Sequence, residues 1–147
     1  MSSKTIYQLI NQVVFFNPFT EEEKKYISSL NNTVFLYHLG EAIFREGEED
    51  AALFILLKGT VSVNRSETVT ICTLKPGSVF GEMSLLGKRP RSTSIIADEE
   101  VIVLKIDRKG LENLPGKLEC KFKDQFIKVL INRLDEMNKN MEKLVRY

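Results

Sequence analysis

The stretch that decides the fold is FGEMSLLGKRPRSTSIIA, residues 80–97. Gly81 has no side chain, so it allows another group to approach the backbone closely. The residues Glu82 to Leu86 can form one helical turn, and the free N–H groups at the start of a helix attract anions. Arg91 follows at the mouth of the next predicted strand, and its planar guanidinium can bind two oxygens of one phosphate. Together these groups suit a ligand with a phosphate and a sugar hydroxyl.

This stretch resembles the phosphate-binding cassette of cyclic-nucleotide-binding domains, which occur in cyclic-nucleotide-gated channels, kinase regulatory subunits and the catabolite activator protein. The residues that match in order and spacing are Gly81, Glu82, Leu85, Leu86, Pro90, Arg91 and Ser92. Two positions depart from the family pattern. The loop glycine, Gly87, comes one position early, and Thr93 stands where alanine is usual. The resemblance extends over about residues 6 to 130.

The resemblance implies that the ligand is cAMP or cGMP and that no further cofactor is needed. The implied ligand-binding residues are Gly81, Glu82, Met83, Ser84, Arg91, Ser92 and Thr93. The carboxylate of Glu82 would accept a hydrogen bond from the ribose 2′-hydroxyl. Arg91 would neutralise the phosphate. A hydroxyl residue directly after the arginine can contact guanine in the family, so Ser92 leaves cGMP open beside cAMP.

The base is expected to stack on apolar side chains of the sheet, under a lid from the last helix. The candidate wall residues are Val61, Val63, Ile71 and Val79. The candidate lid residues are Phe122, Phe126 and Arg133, for which packing in the core or in a dimer seam is the alternative.

Short runs of β-branched and aromatic residues follow Thr33, separated by turn residues and with no helix between them. The runs are VFLYHL, AIFRE, ALFILL, TVSVN, TVTICTL, STSIIA and EVIVLKI. This spacing predicts an antiparallel roll or barrel. The fold class is therefore α+β, and the resemblance implies an eight-stranded, jelly-roll-like β-roll at residues 33–106, with the cassette at 80–94.

Helices are predicted on both sides of the roll. Residues 1–32 contain an apolar helical stripe and then Thr20 with Glu23, the pattern of a capping box. In residues 107–147, Asp107 can cap a short helix that ends before Pro115, and a long helix follows. Its apolar residues alternate in spacings of three and four, which predicts a heptad seam: Ile127, Leu130, Leu134, Met137, Met141 and Leu144. We expect residues 1–147 to form a single domain.

The composition argues against several kinds of partner. The 147 residues include 21 basic and 20 acidic residues, so the balance of charge favours neither nucleic acid nor membrane. The apolar runs are shorter than a membrane span, and the amino terminus lacks the apolar core of a signal peptide. Cys72 and Cys120 have no metal-binding spacing, which favours reduced thiols in the cytoplasm.

The sequence gives little support for an enzyme active site. The spacing of the glycines in residues 81–88 does not match a P-loop, and Arg89 replaces the required Ser or Thr. A metal-binding cupin would need several histidines, whereas His38 is the only one. A Ser or Cys nucleophile would also lack a base other than His38. We therefore expect no enzymatic activity.

The sequence thus predicts a sensor or regulatory module. Nucleotide binding would shift the cassette inward and move the C-terminal helices, which would signal to an unknown protein effector. A weak homodimer through the long helix is a further expectation. The alternative is an interaction module on the same fold that has lost its nucleotide. A transcription regulator would need a winged helix, for which about 40 residues after the strands leave no room.

Overall fold

Two four-stranded antiparallel sheets form the centre of the structure, which is a computed structural model describing residues 1–82 and 89–145. The described chain contains two compact units, Met1–Asn113 and a second that starts at Leu114. The strands, all in the first unit, are β1 Val34–Tyr37, β2 Ala42–Phe44, β3 Ala52–Lys58, β4 Val61–Arg65, β5 Val69–Leu74, β6 Val79–Phe80, β7 Ser94–Ala97 and β8 Val101–Asp107.

The strand order is that of a roll. One sheet has the order β1-β8-β3-β6 and the other β2-β7-β4-β5, and every recorded pairing is antiparallel. The predicted eight-stranded antiparallel β-roll is confirmed. Seven of the strands correspond to the apolar runs of the sequence, with differences of one or two residues at their ends.

The eighth strand, β6, does not follow from the apolar pattern because it has only two residues. Phe80 is the register partner of Phe54, and Val79 is the partner of Ile55, both on β3. These pairings fix the start of the cassette beside β3, a strand with six consecutive buried residues.

Apolar side chains from both sheets meet inside the roll. Residues at alternate positions of β3 and β8 face inward, as expected for the two-residue period of a strand. The interior cluster consists of Ile43, Phe44, Ala52, Phe54, Leu56, Val61, Phe80, Ile95, Ala97, Val101 and Val103. Six consecutive residues of β3 are buried, so this strand is covered on both faces, and helix α1 lies in contact with it.

The helices begin where the sequence predicts. The elements are α1 Ser3–Asn11, a 3₁₀ turn at Val14–Phe16, α2 Glu21–Ser29 and α3 Arg108–Glu112. The capping box of α2 is confirmed: the N–H of Glu23 donates to Thr20 Oγ1 at 3.1 Å, and the N–H of Thr20 donates to Glu23 Oε1 at 2.8 Å. Asp107 caps α3, because its Oδ1 accepts from the N–H of Gly110 at 2.6 Å.

The second unit contains one long helix, α4, Gly116–Val145. Its buried side chains are Leu118, Phe122 and Phe126, all in the first half. The residues of the predicted heptad seam, Ile127 to Leu144, are 40–78% exposed. Within the described residues, no helix combines the length and the apolar character needed to cross a bilayer.

Gly59, between β3 and β4, can be used to test how closely the chain packs against residues 100–101. Gly59 has φ +83°, and a Cβ there would lie 2.5 Å from the backbone oxygen of Glu100 and 2.6 Å from Val101 Cγ1. Gly40 has a similar φ of +86° but open space around it. We expect Gly59→Ala to lower the free energy of unfolding by about 2–4 kcal/mol, since it adds a backbone clash to the conformational strain. Gly40→Ala should lose only about 1–2 kcal/mol from strain. Urea unfolding of both variants measures the difference, and equal losses would contradict this packing.

Candidate phosphate site

The backbone of Arg91 is fixed by the loop between β2 and β3. The N–H of Arg91 donates to the oxygen of Glu48, and the N–H of Gly47 donates to the oxygen of Arg91, both at 2.8 Å. Three residues further on, Ser94 Oγ accepts from the N–H of Glu46 at 2.8 Å. These contacts hold the residue just before β7 in a defined place.

The guanidinium of Arg91 is directed into the protein. Nη1 donates to the oxygen of Gly81 at 2.8 Å, and Nη2 donates to the oxygen of Ala52 at 2.9 Å. The central carbon, Cζ, lies 4.2 Å from the centroid of the Phe44 ring, within the range of a cation–π contact. The side chain is only 2% exposed. The alternative that Arg91 is an ordinary solvated arginine is therefore excluded.

Position 81 requires glycine for two reasons, the backbone conformation and the closeness of the Arg91 guanidinium. Its φ is +82°, and a Cβ there would lie 2.8 Å from Arg91 Nη1 and 3.0 Å from the oxygen of Ala52. The sequence indicated that Gly81 allows another group to approach the backbone closely. In the structure, the guanidinium of Arg91 makes this approach.

One carboxylate lies close to the buried cation. Asp50 Oδ2 is 3.8 Å from Arg91 Nη2 and 3.4 Å from Lys105 Nζ. Burial lowers the pKa of the Arg91 guanidinium below its usual value, whereas Asp50, Glu48 and Glu82 act in the opposite direction and raise this pKa. An arginine has so high an ordinary pKa that it stays charged at neutral pH. The site thus holds a permanent cation at the start of β7.

Of the remaining predicted ligand residues, the structure describes Glu82, Ser92 and Thr93. Glu82 follows Gly81 and is half-buried, Ser92 is exposed, and Thr93 is half-buried. The predicted residues Met83 and Ser84 lie outside the described residues, as do Leu85, Leu86, Gly87 and Lys88. The expected helical turn at 82–86 therefore stays a prediction.

The predicted base-stacking residues differ in exposure. Val61 belongs to the interior cluster, Val79 is buried, and Val63 packs against the cluster from its edge. Ile71 is 52% exposed and is the extra residue of a β-bulge opposite Val63 and Asn64. Of these four, Ile71 is the most accessible to a ligand. In the second unit, the rings of Phe122 and Phe126 have centroids 6.0 Å apart.

Sequence reasoning missed Asp50 and Lys105. Asp50 lies in the loop between β2 and β3, and Lys105 lies inside the run EVIVLKI. Neither has a local signal, because the contacts of Asp50 with Arg91 and with Lys105 join residues far apart in the chain. No group of three or more potential metal ligands occurs among the residues that the structure describes.

Comparison with known proteins supports the same family. The family model "Cyclic nucleotide-binding domain" matches residues 35–116. Human cGMP-dependent protein kinase 2 is 42% identical over 89 residues, which cover 56% of this chain and 12% of the kinase. The chain thus spans about a tenth to a fifth of the length of the curated relatives that it matches, for example 11% of the kinase of Eimeria tenella and 21% of a cAMP-dependent protein kinase regulatory subunit of Debaryomyces hansenii.

Two solved structures show the likeness in three dimensions. A cyclic nucleotide-binding domain from Methylobacillus flagellatus has a TM-score of 0.75 at 24% identity, covering 96% of this chain and 83% of that one, and this likeness shows the fold. The catabolite activator protein of Thermus thermophilus has a TM-score of 0.73 at 29% identity, covering 89% and 62%. The roll, the buried arginine at the cassette and the match over residues 35–116 lead to one conclusion: the chain belongs to the cyclic nucleotide-binding domain family.

Proposed function

We propose that this chain binds a cyclic nucleotide, cAMP or cGMP, through the cassette and Arg91, and that it acts as a regulatory module without a catalytic step of its own. The observation that carries the proposal is the buried guanidinium of Arg91, held by backbone contacts at the end of a family cassette. A cyclic phosphate has one negative charge, which a single guanidinium can neutralise.

Phosphate binding at Arg91 would affect the cassette directly. The Nη groups donate to the carbonyl oxygens of Gly81 and Ala52. A phosphate oxygen is charged and accepts a stronger hydrogen bond than a carbonyl. A ligand that takes over Nη1 would therefore release the carbonyl oxygen of Gly81, which directly precedes Glu82 in the cassette. We propose that this change is the start of the switch, and that it biases the C-terminal helices toward a ligand-bound position that an effector protein recognises.

The sugar would be recognised by Glu82. This residue adjoins Gly81, whose carbonyl oxygen already contacts Arg91, so sugar and phosphate groups would bind at neighbouring points of one loop. The roles of Met83, Ser84, Ser92 and Thr93 in contacting the phosphate and base follow from the family resemblance and belong to the same proposal.

One observation favours the alternative of an interaction module without nucleotide. Arg91 donates to two internal carbonyl oxygens, so it also serves as a structural tie between β3 and the cassette. Such a tie would be retained in a domain that no longer binds a ligand. Titration with cAMP and cGMP separates the two functions.

We place the module in the cytoplasm. Cys72 and Cys120 are free and exposed thiols. Exposed thiols persist in reducing compartments and are readily oxidised elsewhere. The proposed ligand would therefore be sensed inside the cell.

We also propose a weak homodimer through α4. Exposed apolar residues in heptad positions gain most by packing on an equivalent helix, since water is excluded from both. The seam is short, and Met137 and Met141 are flexible side chains that specify a partner poorly. The dimer is therefore expected to depend on protein concentration.

The phosphate assignment is tested by replacing Arg91. Arg91→Ala should weaken cyclic nucleotide binding by about 2–4 kcal/mol, because a charge-assisted contact is lost. Arg91→Lys keeps the charge without the planar fork and should restore only part of the affinity. Arg89→Ala, at an exposed arginine, is the matched control and should bind like the parent.

Calorimetric titration with cAMP and with cGMP measures these affinities and also determines which base is preferred. Unfolding curves of the variants show whether each one is folded. A folded Arg91→Ala or Arg91→Lys protein that binds as tightly as the parent contradicts the assignment, and a parent that binds neither nucleotide favours the interaction module.

The sugar assignment is tested with a ligand that lacks one hydroxyl. Glu82→Ala should weaken binding of the ribose nucleotide by roughly 1–3 kcal/mol, since a hydrogen bond to a carboxylate is lost. The same variant should bind the 2′-deoxy nucleotide almost as well as the parent does. If Glu82→Ala lowers the affinity for both ligands equally, Glu82 supports the loop and does not contact the ribose.

The dimer is tested by placing a charge in the seam. Leu134→Glu should abolish self-association, because the carboxylate would be buried between two helices. Asn132→Glu introduces the same charge at an exposed position outside the seam and should leave association unchanged. Sedimentation across a wide concentration range distinguishes the two variants. A parent that is monomeric at the highest concentration rules the dimer out.

A further inference from the structure

Lys105 is a charged residue on the inward face of β8, where the preceding side chains are apolar. Val101 and Val103 of β8 belong to the interior cluster, and Lys105 is the next residue on the same face. Its register partner, Phe54, is also in that cluster. The lysine side chain is 35% exposed, so it lies at the edge of the core with its charge accessible to water.

The ammonium group of Lys105 contacts the carboxylate that lies beside Arg91. Both cations approach the same oxygen, Asp50 Oδ2, Lys105 at 3.4 Å and Arg91 at 3.8 Å. At these distances the contacts are Coulombic more than hydrogen-bonded. The Phe54 ring also lies near both cations, with its centroid 5.7 Å from Lys105 Nζ and 5.8 Å from Arg91 Cζ.

The sharing of one carboxylate between two cations affects how much charge Arg91 can offer, beside the smaller influence of Glu48 and Glu82. Two cations and one carboxylate leave one positive charge in excess within this trio. Without Lys105, Asp50 and Arg91 would form a neutral pair. An anion is attracted by the excess charge and gains much less from a neutral pair, because the carboxylate opposes its approach.

We propose that Lys105 is a positioning residue for the phosphate site: it occupies Asp50 and so keeps the charge of Arg91 available to a monoanionic phosphate ester. This inference rests on the proposed function, since it requires that Arg91 receives the phosphate. It adds a residue outside the cassette, on a different strand, to the groups that set the affinity.

Removal of the ammonium group tests the inference. Lys105→Met keeps the length of the apolar stem and removes the charge, and it should weaken binding of cAMP or cGMP roughly fivefold, the effect of a partly exposed ion pair. Lys58→Met is the matched control. Lys58 is an exposed strand lysine at the far end of β3 from Ala52, and its loss should leave affinity unchanged.

A second substitution separates positioning from a merely structural role. In Lys105→Met, the weakening is attributed to Asp50 competing with the phosphate for Arg91. The double variant Lys105→Met, Asp50→Asn removes that competitor and should regain an affinity within about twofold of the parent. A structural role for Lys105 would not produce this rescue. A long-range effect of net charge would also be restored in the double variant, which has the net charge of the parent, but it would weaken binding equally in Lys58→Met.

The outcomes are distinguishable in one set of calorimetric titrations. If the parent binds and Lys105→Met binds equally well, the inference is overturned and the proposed function stands. If Lys105→Met is folded and weak but the double variant is just as weak, the positioning role is also overturned. If the parent binds neither cAMP nor cGMP, the proposed function fails and the inference fails with it.

Discussion

Burial of the Arg91 charge is the constraint on which the site depends. A charged group with almost no exposure is stabilised by hydrogen-bond acceptors and a nearby counter-charge. Around Arg91 these are the carbonyl oxygens of Ala52 and Gly81 and the carboxylate of Asp50, together with the ring of Phe44. These groups come from β2, the loop that follows it, β3 and the cassette. One guanidinium therefore ties the region of residues 44–52 to the cassette, and the glycine at position 81 is needed to make room for it.

The same arrangement gives the proposed switch its physical basis. Arg91 donates to two internal acceptors, so in the proposed function a phosphate would exchange with at least one of them. Such an exchange links ligand binding to the position of Gly81, because both compete for the same donor. A ligand shifts the conformational equilibrium only as far as it prefers one state. The gain of a charged acceptor over a neutral carbonyl is a preference of this kind.

Much of the fold could be predicted because it is encoded locally. The short apolar runs bounded by turn residues, such as ALFILL and EVIVLKI, and the Thr20–Glu23 pair are readable without knowledge of the pairing. The strand Val79–Phe80 could not be predicted from its residues, since two residues show no period. Within the site, the motif indicated Gly81 and Arg91 but not that they contact each other. Asp50 and Lys105 escaped prediction because only the pairing of β3 with β8, and the fold of the loop before β3, bring them to Arg91.

The most direct measurement is an NMR titration of the protein with ¹⁵N-labelled arginine side chains, in which the Arg91 signal is assigned by its disappearance in Arg91→Lys. Addition of cAMP or cGMP should shift the Arg91 guanidinium resonances in a saturable way, since a phosphate replaces at least one carbonyl acceptor. The exposed Arg89 resonance should change much less. A nucleotide that binds while the Arg91 resonances stay in place would contradict the account.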